Sequence, residues 1–172
     1  MISLELVPAA AMEAMLEDDL STASEAAGRP LPRFFLDEKW LWRVRLAQAR
    51  TSPQDAPWLA RSAVTSPGGE VVGHAGFHGR PDASGMVEVG YTVVPEQRGR
   101  GYAHELLAAL VEEARASDSN VRVVRATVRP DNAASLAVVR RAGFAHVGEQ
   151  WDDEDGLELV FEKVLEATPA RG

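Results

Sequence analysis

The chain has 172 residues, of which 45% are hydrophobic and 26% charged, with a formal net charge of −8. That length and composition suit one folded domain with a full core, and the acidic balance argues against nucleic acid as the main partner, because phosphate binding needs a basic face. With no cysteine there is no disulfide, thiol nucleophile or thiolate metal site. No apolar run approaches the ~18 residues of a membrane span, and the first residues, Met1 to Pro8, show no basic leader before an apolar stretch; no membrane association and a cytoplasmic location are expected.

Ile2 to Val7 alternates apolar and polar residues as a short strand does. Pro8 opens a helix with Met12, Met15, Leu16 and Leu20 on one face, which Gly28 is placed to stop. Asp37 is placed to cap a second helix, with Leu36, Trp40, Val44 and Ala47 sharing a face, and residues 51–57 read as a loop. Residues 58–64 and 70–78 read as strands joined by Ser66-Pro-Gly-Gly69. Residues 86–94 form the clearest strand, with Val87, Val89, Tyr91 and Val93 on one face. A helix is expected over 101–117, a strand over 121–128, a helix over 132–142 closed by Gly143, and a hairpin over 145–151 and 157–164. The layout is α/β with a mixed sheet, in a single domain over residues 1–165, with a disordered tail from Glu166.

The segment Val94-Pro-Glu-Gln-Arg-Gly-Arg-Gly-Tyr-Ala-His104 joins the strongest strand directly to a helix. A helix start presents unpaired N–H groups and a positive dipole end, both suited to phosphate. Gly99 and Gly101 remove side chains that would hold a diphosphate off the backbone, and Arg98 and Arg100 add charge at the rim. No Gly-Lys-Ser/Thr ending is present for a Walker loop, and the third glycine of a dinucleotide fingerprint is missing. Between Arg98 and Arg141 the sequence has eight arginines and five carboxylates, a positive stretch in an acidic chain.

Arg98-Gly-Arg-Gly-Tyr-Ala103 resembles the Arg/Gln-x-x-Gly-x-Gly/Ala signature of the GNAT acetyltransferases. Glu88 to Pro95 is similar to the strand before that signature, and Asn132-Ala-Ala-Ser135 with Arg141-Ala-Gly-Phe144 resembles the family's second segment. The Asn-x-x-Ser form is similar to the branch holding ribosomal-protein N-terminal and small-molecule acetyltransferases. The resemblance implies a mostly antiparallel sheet flanked by helices, with acetyl-CoA (coenzyme A) as cofactor. The implied acceptor is a small-molecule amine or a protein N-terminus. A homodimer stays open, as does a non-catalytic acyl-CoA-binding module.

The same resemblance distributes the roles. A backbone N–H at Val93 or Val94 is implied as oxyanion donor, where the family strand parts from its neighbour, and Glu88 as the base. Cofactor contacts are implied for Val93, Val94, Arg98, Gly99, Arg100, Gly101, Tyr102, Ala103, Asn132 and Ser135. Many relatives protonate the leaving thiolate with a Tyr seven residues after the Asn; Val139 stands there, leaving Ser135 as the donor. His74, His78, His104 and His146 have no metal-ligand spacing, so no metal is expected. The aromatics Phe34, Phe35, Trp40, Trp42 and Trp58 lie where the family builds its acceptor wall, with core packing as the competing account.

Overall fold

The computed structural model describes residues 1–166. Seven strands form one sheet in the order β1-β2-β3-β4-β5-β7-β6. They are β1 Ile2–Leu6, β2 Arg61–Thr65, β3 Val71–Phe77, β4 Met86–Val93, β5 Val123–Val128, β6 Ala145–Asp152 and β7 Gly156–Val164. All neighbours are antiparallel except β4 and β5. Parallel neighbours need a crossover, which α4 (Tyr102–Ala116) supplies.

The sheet has a core on each face. Val87 and Val89 of β4 pack with Leu106, Leu107 and Leu110 of α4 and with Val139 of α5 (Ala133–Arg141). Each of those leucines is fully buried, contributing about 1.5–3 kcal/mol apiece, so α4 is held by its apolar stripe more than by helix propensity. The opposite core gathers α1 (Ala9–Leu16), α2 (Leu20–Ala27) and α3 (Lys39–Thr51) over Ala60, Val64, Val71 and Val94. Period-two alternation on β4 sends the odd-numbered residues toward α4, leaving Glu88, Gly90 and Thr92 on the α3 side.

The helix expected from Pro8 to Gly28 is two helices. Asp18 has φ +61°, and Asp19 restarts the chain by accepting the Thr22 N–H at 3.0 Å. Gly28 does end the second, with φ +72°. Helix α3 begins after Glu38, with Asp37 inside a 3-10 turn at Arg33–Glu38, and its buried stripe is Trp42 and Leu46. The expected face is the outer one, with Trp40 58% and Val44 51% exposed. An aromatic cluster selects the orientation: the rings of Phe35 and Trp42 lie 5.2 Å apart and both flank His74, and Trp42 Nε1 donates to the Phe35 carbonyl at 2.6 Å. Residues 53–58 form a 3-10 turn instead of a loop, so β2 starts three residues later than expected. Arg61, at the start of β2, donates to the Pro57, Trp58 and Leu59 carbonyls and pairs with Glu113 of α4 at 2.9 Å. The expected tail from Glu166 lies, beyond that residue, outside the described residues.

The sheet is tight where β3 meets the end of β4. A Cβ added at Gly73 would fall on the Thr92 carbonyl oxygen and close to the Val93 Cα. Gly73→Ala is expected to destabilise by about 1–3 kcal/mol through overpacking, read as a lower denaturation midpoint; Gly148→Ala, whose Cβ meets nothing, serves as the neutral control.

Candidate active site

The site begins where β4 and β5 part. Their parallel ladder runs from Met86↔Val123 to Glu88↔Arg125 and stops, whereas β5 stays paired with β7 as far as Val128. Residues 89–93 of β4 therefore keep β3 as their one strand neighbour. The His78 N–H donates to the Glu88 carbonyl at 2.8 Å and the Val94 N–H to the Val72 carbonyl at 2.9 Å. Antiparallel alternation then assigns the even-numbered amides to β3 and turns those of Tyr91 and Val93 toward the gap. This corrects one expectation: the Val94 amide is consumed by the sheet, and Val94 does not line the cleft.

The Val93 carbonyl, freed by the same parting, accepts from Arg98 Nε at 3.1 Å. Arg98 thus braces the turn against the strand as well as charging the rim. Gly99 and Gly101 adopt φ of +77° and +86°, conformations that favour glycine, and a Cβ on either would meet no protein atom within 4 Å. Gly101 is the N-cap of α4 and offers no side chain to its first-turn amides, in contrast to Asn132, whose Oδ1 accepts the Ser135 N–H at 3.1 Å.

Between these elements lies a cleft of about 590 Å³. Of the residues expected at the cofactor, Val93, Arg98, Gly99, Gly101, Tyr102, Ala103, Asn132 and Ser135 line it, and Arg100 does not. Arg100 is exposed beside it. The sequence reading missed others of the wall, among them Gln97, His104, Val138 and Arg141. His104 Nδ1 and Gln97 Oε1 are buried without a partner, and periodicity gave no sign of either. Val139 is fully buried in the core, so that position presents nothing to the cleft. A glycine cradle, free helix amides and two arginines suit a phosphorylated ligand.

A second depression, of about 200 Å³, lies on the α3 side of β4 and shares Tyr91 and Thr92 with the cleft. Its lining includes Trp40, Leu41, Arg45, His74, His78 and Gly90. Glu88 is the next residue on that face. Its Oε1 accepts from the Thr127 hydroxyl at 3.1 Å and lies 3.7 Å from His78 Nδ1. Burial pushes the Glu88 carboxyl above its ordinary range, against the opposing pull of the Thr127 hydrogen bond and of Arg125 and Arg45. Burial, aided by Arg45, lowers His78 to about 4, so its imidazole is neutral at pH 7. Burial raises the Tyr91 phenol to about 12. His74 is held by Glu38 at 3.0 Å and serves as a wall. Of the five aromatics singled out in the sequence, Phe35 and Trp42 are core, Trp58 packs on Phe77 at 5.2 Å, and Trp40 alone lines the depression. Among the described residues no group of three or more His, Asp or Glu is placed to hold a metal, and no helix is long and apolar enough to cross a membrane.

Comparison with known proteins gives a consistent picture. Residues 12–145 match the family description "Acetyltransferase (GNAT) domain". The L-methionine sulfoximine/L-methionine sulfone acetyltransferases of Pseudomonas aeruginosa and Pseudomonas paraeruginosa are 42% identical over 84 residues, spanning 47% of this chain and 48% of theirs. The match thus covers about half the length of these curated relatives. Mycobacterium smegmatis RimJ, solved with CoA-disulfide, superposes with a TM-score of 0.67 at 21% identity, over 98% of this chain and 84% of that one. The Vibrio cholerae spermidine/spermine N-acetyltransferase SpeG superposes with a TM-score of 0.63 at 11% identity, over 95% of each chain. Those two likenesses concern the fold; the match over residues 12–145 carries the membership. On that match, the chain belongs to the GNAT acetyltransferase family.

Proposed function

We propose that this chain is an N-acetyltransferase that moves the acetyl group of acetyl-CoA, the co-substrate of its family, to the primary amine of a small molecule. The observation that carries the reading is the parted strand: an unpaired Val93 N–H opens on the same gap as the phosphate-suited N-terminus of α4. The small acceptor follows from the depression of about 200 Å³, and the partial likeness to acetyltransferases of L-methionine derivatives points the same way. A protein N-terminus is the competing acceptor. One domain over residues 1–165 belongs to the same proposal, since Leu165 still packs in the α4-side core.

Bound acetyl-CoA supplies a thioester carbonyl, at which the acceptor nitrogen forms the new N–C bond as the C–S bond breaks. The free first-turn amides of α4, with Arg98 and Arg141, would hold its phosphates. The Val93 N–H is preorganised to donate to oxyanion charge, needing no reorganisation once the strands have parted. Glu88, half-buried and raised, takes the ammonium proton, directly or through water, with neutral His78 beside it. Ser135, which lines the cofactor cleft, returns a proton to the departing sulfur. Tyr91, at the junction of cleft and depression, stays protonated at neutral pH and carries no charge into the site.

Three outcomes follow. Glu88→Gln should retain acetyl-CoA affinity by calorimetry yet lose about 10²–10⁴ in kcat/KM with its best amine, measured by free-CoA release. In the unsubstituted protein kcat/KM should rise with pH through a limb above the ordinary carboxylate range, because the base works ionised and burial raises its pKa; the variant should lack that limb. Gly101→Val places a branched side chain in the cradle and should weaken acetyl-CoA binding at least about ten-fold, roughly 1.4 kcal/mol. Tight acetyl-CoA binding without transfer to any small amine or N-terminal peptide would mark a non-catalytic acyl-CoA-binding module.

A further inference from the structure

We infer that the acceptor is a free α-amino acid, whose carboxylate is received by Arg45 while its amine lies toward Glu88. The inference rests on the acetyl-transfer reading and names the acceptor class of the same depression. It starts from an imbalance. Arg45 rises from α3 into the depression, half-buried, and its side-chain partner among the described residues is the neutral Gln48 Oε1 at 2.9 Å. The other inward guanidiniums are matched, Arg61 by Glu113 at 2.9 Å and Arg125 by Glu162 at 2.5 Å. No carboxylate among the described residues lies within ion-pair distance of Arg45. Glu88 attracts it across the site without closing on it, being engaged by Thr127.

A partly desolvated guanidinium with donors to spare is costly unless an anion arrives, and its planar fork fits a carboxylate. The floor of the depression thus presents one cation and, a strand step away, one carboxylate, the complement of a zwitterion. The surrounding groups do not upset that match. His78 is neutral, and His74 is already taken by Glu38. Leu41, Trp40, Ala60 and Ala75 leave room for a modest apolar side chain. A polyamine would bring its second cation against Arg45. A peptide N-terminus has its first carboxyl tied up as an amide and would leave the guanidinium unmatched.

The test uses the whole chain with acetyl-CoA and a panel of L-amino acids, each beside its methyl ester and its decarboxylated amine, followed by free-CoA release. The expected result is a kcat/KM at least about ten-fold higher for the free acids, roughly 1.4 kcal/mol of discrimination. Arg45→Gln should erase that preference by slowing the free acids alone, and Arg45→Lys should recover part of it. Thermal melting and acetyl-CoA calorimetry on both variants show whether they are folded and loaded; should either fail to fold, the ratio in the unsubstituted protein decides. Equal or faster transfer to esters and amines, an unchanged ratio in a folded Arg45→Gln, transfer to peptides alone, or a panel without turnover each overturns the inference. Failure of the unsubstituted protein to bind acetyl-CoA would instead remove the acetyl-transfer reading beneath it.

Discussion

The structure turns on the separation of two parallel strands. A backbone amide inside a sheet is worth little to a ligand because a ladder partner already holds it. By ending the β4–β5 ladder at Glu88↔Arg125 while β5 remains tied to β7, the fold frees the amides of Tyr91 and Val93 without giving up the sheet. An unpaired polar group is costly when dry, so the gap must be wet or filled. The signature turn resolves half of that cost, since Arg98 takes the Val93 carbonyl and leaves its amide for a ligand. Strand separation, glycine turn and helix start thus form one device rather than three neighbours.

The two faces of β4 differ in their electrostatics. On the cleft side the charge is positive, from Arg98, Arg141 and the α4 dipole, with no carboxylate in the lining. On the α3 side Glu88, Arg45 and His78 alternate in sign or neutrality at close range. Burial works on Glu88 and His78 in the same chemical direction, toward the uncharged form: it raises the carboxyl and lowers the imidazole. A carboxylate with a raised pKa is a stronger base, which suits abstraction from an ammonium near neutral pH.

Much of this was legible in the sequence where a residue's role depends on local geometry. The alternation of β4, the glycine turn before α4, the Asn132 cap and the β6–β7 hairpin are short-range matters, and each was read at nearly its observed bounds. The failures have tertiary causes. The α3 stripe was assigned to the wrong side because Trp40 and Val44 are as apolar as Trp42 and Leu46, and only packing against Phe35 and His74 separates them. The break at Asp18 hid inside a good helical pattern. Val94 was paired with Val93 as a donor because the parity of sheet hydrogen bonds depends on the β3 register, which no single strand encodes. Arg45 comes from α3, distant in sequence, and faces the same depression as His78 only in the folded chain.

Asn132 carries a consequence of its own. Its carbonyl oxygen is occupied at the head of α5, so the part of the side chain left for the cleft is the amide nitrogen, which can only donate. An aspartate would begin the helix equally well, but would bring a negative charge and acceptors alone to a surface suited to phosphate. Helix initiation accepts either residue, whereas a phosphate-bearing ligand in this cleft would favour the amide, a preference that folding stability by itself would never impose.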